Sequence, residues 1–232
     1  MSAHFHFYLC GREAAEWLIS MIQRSDTLKE QAYMLIREKI MHQELSFGAK
    51  LNIADLAREF QISNSPIREA VSLLESDGLV ECMPNSGFRV LALDKTAFYT
   101  LTQTVQVLLI GCYDDCVRHD RLDVLTSLLN ERLTMQQASS GEAISYDYAC
   151  IAINFDRSFV DVCDNTMLTR MFSSKFDLLA LYTLHLYGDS KEQVHQNLLE
   201  HKAIYEAVLT RRHQDVQRLI AEHYSKVDKI NI

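Results

Sequence analysis

The chain has 232 residues, 48% hydrophobic and 23% charged, with a formal net charge of −8. Such usage is ordinary for a globular protein of one large or two small domains and excludes a disordered chain. Only 7 glycines and 2 prolines occur, which excludes a turn-rich all-β protein and favours long helices.

Residues 1–24 form a preface with one short helical pattern, Arg12 to Ile22, and no basic segment followed by an apolar stretch. No secretory signal is therefore expected. Nor does any apolar run approach the roughly 18 residues that cross a bilayer, so the expectation is a cytoplasmic protein with no membrane partner. From Asp26, the residues Leu28, Ala32, Leu35, Ile36 and Ile40 recur at helical spacing and predict an amphipathic helix that stops near Gly48. A second, short helix carries Ile53, Leu56, Ala57 and Phe60 on one face, with Asn52 as its N-cap. Gln61-Ile62-Ser63 breaks it. A third begins at Ser63-Asn64-Ser65-Pro66, where Pro66 suits a first turn whose N–H groups lack intrahelical partners. Ala70, Leu73 and Leu74 are expected to face inward until Gly78 caps the helix.

Leu79–Met83 and Phe88–Leu91, flanking Pro84-Asn85-Ser86-Gly87, predict a β-hairpin. Three helices followed by a hairpin is the layout of a winged helix-turn-helix, which offers its third helix to the DNA major groove and its hairpin to the backbone or minor groove. After a short linker ending at Asp94, helical patterns run over Lys95–Val117, Leu122–Gln137, Tyr146–Cys163, Asn165–Tyr187, Ser190–Arg211 and His213–Val227. The expected fold class is mainly α: a winged helix-turn-helix over 25–93, then an all-α antiparallel bundle over 95–232. The net acidity sets one condition. Phosphate contacts draw on Lys and Arg, so DNA binding has to come from a local surface.

The stretch Ile62-Ser63-Asn64-Ser65-Pro66-Ile67-Arg68-Glu69-Ala70-Val71, with Leu74-Glu75-Ser76-Asp77-Gly78-Leu79-Val80 after it, resembles the recognition helix and wing entrance of GntR-family regulators. Leu45-Ser46-Phe47-Gly48-Ala49-Lys50-Leu51 is similar to that family's turn before the second helix, and the helical remainder is similar to the FadR-type effector domain (FCD). The resemblance implies a homodimeric transcription regulator, most simply a repressor. Its recognition helices would read a palindromic operator, and a small-molecule effector, of which a carboxylate metabolite is one class, would control it. The DNA-binding residues it implies are Ser63, Asn64, Ser65 and Arg68, with Asn85, Ser86 and Gly87 at the wing tip. Asn64 stands where the family commonly has Arg, as does Ala54, which implies an altered operator or weaker binding, because a bidentate Arg–guanine contact is worth about 1–3 kcal/mol of discrimination.

Many members of that family hold a divalent metal with one Asp and three His. In the matching stretch Ala152 replaces the Asp and Asp156 the first His, whereas His201 and His223 remain. Two readings stay open: a two-His, one-carboxylate site for Zn, Ni, Mn or Fe formed by Asp156, His201 and His223, or a decayed site whose histidines hydrogen-bond within the pocket. The family's Arg and Glu in the first effector-domain helix are missing from Thr104–Ile110, so no charge contact to a carboxylate is expected there. The 6 cysteines show no finger or disulfide spacing. Cys112 and Cys116 share a helix face and read as small core residues, with a redox or metal pair as the alternative. Two other function classes follow from the same residues: a winged-helix interaction protein without specific DNA binding, and a metal-dependent enzyme. Against the latter, the chain carries no nucleophile elbow, phosphate loop or zinc-protease motif, and no enzyme activity is expected.

Overall fold

The computed structural model describes residues 27–84, 86–92, 94–139, 145–187 and 190–225. The helical pattern of Arg12–Ile22 and the wing residue Asn85 lie outside them. Helix α1 (Leu28–Met41) starts with a capping box: Thr27 accepts from the Glu30 backbone while the Glu30 carboxylate accepts from Thr27 N at 2.8 Å. Asn52 caps α2 (Ile53–Phe60), which ends on Gln61 in the left-handed region. Helix α3 (Asn64–Asp77) ends on Gly78 at φ 83, a conformation that glycine adopts without strain.

Strands β2 (Val80–Met83) and β3 (Gly87–Val90) form the expected hairpin, with Glu81 opposite Arg89. A third strand, β1 (Lys50–Leu51), pairs with β3, so the wing is a three-stranded antiparallel sheet in the order β1-β3-β2. Two residues are too short to show period-two patterning, which is why β1 is not legible in the sequence. One expectation fails here: Leu73 is 39% exposed, whereas Ile67, Ala70, Val71 and Leu74 form the buried face of α3. That set recurs at spacings of three, one and three, and Leu73 falls just outside its arc.

The rest of the described chain is helical: α4 (Lys95–Arg118), α5 (Leu122–Ser139), α6 (Tyr146–Asp161), α7 (Thr166–Tyr187), α8 (Lys191–Leu209) and α9 (His213–Tyr224). These bounds fall within a few residues of the sequence periods. Among the described residues, no helix is long and apolar enough to cross a membrane. Cys112, Cys116 and Cys163 are buried together, and Cys163 Sγ donates to the carbonyls of Cys112 and Phe159 at 3.5 and 3.3 Å. Burial raises all three thiol pKa values, which suits inert core residues rather than reactive thiolates.

Two large hydrophobic clusters organise the described residues. One gathers α1–α3 and the sheet, the other α4–α9. They are not independent, because Leu181 of α7 is fully buried in the first cluster, with Leu178 and Tyr146 packed against it. At Gly78 an added Cβ would lie 3.2 Å from Leu178 Cδ1, so the cap glycine also permits the close approach of α7.

An ion pair closes the junction. Arg37 of α1 donates through Nε and Nη2 to both carboxylate oxygens of Asp177 on α7, at 2.6 and 2.5 Å. Its Nη2 also donates to the hydroxyl of Tyr146, the first residue of α6, at 2.9 Å, and that hydroxyl donates to Asp177 at 3.1 Å. Burial opposes the charge on Arg37, but the neighbouring Asp177, Tyr146 and Glu38 outweigh it and hold the guanidinium protonated.

Candidate DNA-binding surface and metal centre

The first turn of α3 is the exposed end of the three-helix half. Ser63, Asn64, Ser65 and Arg68 are all exposed, while Ile67 and Ala70 anchor the helix below them. Ser63 occupies the N-cap position without a side-chain cap bond. The first backbone N–H groups of the helix, which have no intrahelical acceptor, therefore stand at its positive end, a geometry suited to phosphate. Ser65 is not idle: its hydroxyl donates to Glu69 at 3.3 Å. To reach DNA it must leave a carboxylate that itself repels phosphate, and Glu69 is a residue that the motif alone did not single out. Ser86 and Gly87 are exposed at the hairpin turn. Gly87 has φ 84 with open space where a Cβ would stand, so its requirement is conformational as well as one of close approach. Beside it, Arg89 is paired across the strands with Glu81 at 2.7 Å, which cancels much of its attraction for a phosphate.

The second site lies inside the bundle. Asp156 on α6, His201 on α8 and His223 on α9 place one potential ligand atom each within 4.8 Å of one another. The side chains of Asp156, His201 and His223 are 5%, 1% and 7% exposed, so little water reaches them. His201 is stacked on Phe155 at 4.3 Å between ring centroids. Its Nδ1 meets Gln136 Oε1 of α5 at 2.7 Å, and His223 Nδ1 meets Glu200 Oε2 of α8 at 2.9 Å. His201 thus turns Nε2 toward Asp156, and His223, with Nδ1 taken by Glu200, has Nε2 left for the cluster. His201 Nε2 is 3.8 Å from Asp156 Oδ1, too far for a hydrogen bond, and is buried without a partner. Ala152, one turn before Asp156, is buried against Tyr148 and Val194 and offers only a methyl group.

Burial pushes the Asp156 carboxyl up to about 6, opposed by the neighbouring His223 and Tyr224. Burial also lowers both histidines, His201 well below the usual imidazole range. At neutral pH the cluster is then an ionised carboxylate facing two neutral imidazoles, all acceptors. Leaving a buried acceptor unsatisfied costs about 1–3 kcal/mol. A divalent cation satisfies all three at once, and two imidazoles with one carboxylate suit Zn, Ni, Mn or Fe and leave open positions. The residues fit a divalent metal; the bonds of both Nδ1 atoms within the pocket accord equally with a decayed site, and the partnerless His201 Nε2 is the observation that favours a metal.

Sequence reasoning named the three inner residues and missed Gln136, Tyr148, Asn197 and Glu200 around them. One signal was available. Gln136 continues the buried stripe Leu122, Leu125, Leu129 and Leu133, and an uncharged polar residue on an apolar stripe asks for a buried partner.

Both halves of the chain match known protein families. Residues 28–90 match the family described as "Bacterial regulatory proteins, gntR family", and residues 112–226 match the FCD domain. The HTH-type transcriptional regulator YdhC of Bacillus subtilis (strain 168) is 27% identical over 201 residues, 84% of this chain and 87% of that protein. Among solved structures, a GntR transcriptional regulator from Rhodococcus sp. RHA1 superposes with a TM-score of 0.66 at 16% identity, covering 88% of this chain and 99% of that one. E. coli McbR/YncC superposes with a TM-score of 0.59 at 17% identity, covering 88% and 97%. At such identities the structures speak for the fold alone.

Proposed function

The chain belongs to the GntR family of bacterial transcription regulators and carries its FCD domain, and from that premise we propose that it is a homodimeric repressor released from its operator by a small molecule bound beside a divalent metal. Residues 25–93 would read DNA and residues 95–232 would sense the effector and dimerise. Asn64 would pair with a base edge, its amide suiting adenine N6 and N7. Arg68, Ser63, Ser65, Ser86 and the Gly87 backbone would hold phosphates, and Asn85 would extend the wing contact.

Asp156, His201 and His223 would hold the metal. Bound there, it would act as a Lewis-acidic anchor whose open positions take the carboxylate or hydroxyl oxygens of a metabolite. That role suits a first bundle helix without an Arg at 104–110, since the cation would supply the charge that the helix lacks.

The observation that carries the control is the course of α6. At its start Tyr146 is bonded to Arg37 of the DNA-binding half, and ten residues on, about 15 Å along the helix, Asp156 stands in the candidate metal cluster. A ligand that binds more tightly to one placement of α6 shifts the equilibrium between placements, and α1 moves with it.

The test is to incubate purified protein with genomic fragments at about 0.15 M salt, sequence what is retained, and repeat after removing metal. Enrichment of a palindrome with half-sites about one helical turn apart supports a dimeric operator binder. No enrichment with or without divalent metal overturns it.

A further inference from the structure

The acceptors around Asp156 face one another because of groups standing one layer further out. Their roles can be deduced from atoms with no choice about donating or accepting. A backbone carbonyl only accepts, so the contact of Tyr148 Oη with Val194 O at 3.3 Å uses the phenolic proton. The Tyr148 oxygen must then accept its other bond, which comes from Gln136 Nε2 at 3.2 Å. Gln136 Nε2 also donates to Asn197 Oδ1 at 2.7 Å. With both amide protons used on that side, Gln136 Oε1 faces His201 Nδ1 at 2.7 Å and can only accept. His201 therefore carries its proton on Nδ1 and a lone pair on Nε2. His223 reaches the same state more directly, since its Nδ1 faces the acceptor-only carboxylate of Glu200.

We infer that Gln136, oriented by Tyr148 and Asn197, and Glu200 are positioning residues that lock both imidazoles as Nδ1–H tautomers and so aim two Nε2 lone pairs at the point faced by Asp156. This rests on the metal reading of the site for its purpose, though not for its geometry. The relay is built into the core: Gln136 is fully buried, Asn197 and Tyr148 nearly so, and the chain of bonds ties α5, α6 and α8 together. A site that served only packing would gain by the opposite tautomer of His201, whose Nε2–H would be turned toward the Asp156 carboxylate. The relay prevents that tautomer. It also makes the two histidines unequal, because a carboxylate holds His223 whereas a neutral amide holds His201.

The experiment uses the full chain, stripped of metal and labelled with nitrogen-15 in its histidines. Long-range nitrogen–proton correlation spectra at neutral pH report which ring nitrogen of each histidine carries the proton, and His201→Asn and His223→Asn spectra assign the signals. The expected result is a protonated Nδ1 and a lone-pair Nε2 on both His201 and His223. Zinc affinity is then measured by competition against a chromophoric chelator. Gln136→Leu should release the His201 tautomer and weaken zinc binding by about 10- to 100-fold, the usual cost of losing an outer partner of a metal-binding histidine. Gln136→Glu retains an acceptor at the same place and should retain the tautomer and most of the affinity, which a packing role would not predict. A wild-type His201 protonated on Nε2 overturns the inference, as does a Gln136→Leu protein with unchanged tautomer and zinc affinity. Should Gln136→Leu fail to fold, the wild-type and Gln136→Glu spectra decide alone. Correct tautomers without zinc uptake would sustain the relay and sink the metal reading instead.

Discussion

Two polar clusters among the described residues are built on opposite principles. At the junction of the two cores, the Arg37 donors Nε, Nη1 and Nη2 all find acceptors on Asp177, Glu38 and Tyr146. Inside the bundle, Asp156, His201 and His223 present acceptors to one another, and His201 Nε2 has no donor at all. The first cluster is complete and needs nothing further to be stable in its present arrangement. The second is complete only with a cation or an added proton. A closed cluster fastens two parts of a fold, whereas an acceptor-only cluster is shaped for a guest. Helix α6 belongs to both, through Tyr146 and Asp156.

The largest effect should come from opening the closed cluster. Arg37→Met leaves Asp177 in a half-dry position with no countercharge, and removing one partner of a buried pair costs on the order of 3–5 kcal/mol. Urea denaturation of the metal-free protein should show that loss, and Arg37→Met combined with Asp177→Leu should regain most of it. A loss below about 1 kcal/mol would put the pair in the class of surface ion pairs and remove it as the fastening between the cores.

Filling the open cluster should have the next largest effect, of opposite sign. A divalent ion at 100 times its dissociation constant stabilises the folded state by about 2.7 kcal/mol, which is read as a rise in thermal midpoint when Zn, Ni or Mn is added. His201→Ala should abolish that rise while leaving a folded protein. If the midpoint of the His201→Ala protein rises as much as that of the wild type, the metal binds elsewhere.

A smaller effect follows from the charges at the open cluster. The folded-state value of Asp156 lies near 6 against an ordinary 3.8. The burden of its ionisation is therefore absent below the lower value and complete above the upper one, and metal-free stability falls through that window as pH rises. The depressed histidines act in the other direction, contributing stability above their ordinary 6.5 that is lost as pH falls. Asp156→Asn removes the first effect, together with the attraction by which Asp156 partly offsets the lowering of His223. Its stability relative to wild type should therefore climb between about pH 4 and pH 6, and a flat difference would mean that Asp156 is better solvated than its position implies.

What could be read from the chain differs between the clusters for a physical reason. The helix start at Asn52 and the stop at Gly78 are local chemistry, written in adjacent residues. That Asp156, His201 and His223 belong together was legible because the two histidines stand in recognisable local contexts, and Asp156 because it occupies a family position. Arg37 and Asp177 are 140 residues apart, and each looks like an ordinary surface charge on an amphipathic helix. Only the docking of α7 beside Gly78 buries them. Gln136 and Glu200 fall between these cases: their helical positions were evident, but their partners lie on other helices and no spacing rule connects them. Leu73 shows the same limit on a smaller scale, since helical periodicity alone does not fix which edge of an apolar arc the neighbouring helices cover.

The smallest effect concerns the exposed end of α3, where single contacts are shared among several. Arg68→Ala should weaken operator binding uniformly across sequences and reduce the slope of log affinity against log salt by about one, as expected for the loss of one phosphate contact. Asn64→Ala should behave differently, relaxing the preference at one base pair while leaving the salt slope in place, because an amide neutralises no phosphate. Glu69→Gln gives the sign of the local field. It frees Ser65 from a carboxylate that repels DNA, so affinity should rise, most at low salt where the repulsion is least screened. If Glu69→Gln instead lowers affinity for the operator while sparing other sequences, the carboxylate reads a base, with the N4 amino group of cytosine as its natural partner. Glu69 would then join Asn64 as a determinant of the operator rather than a brake upon binding.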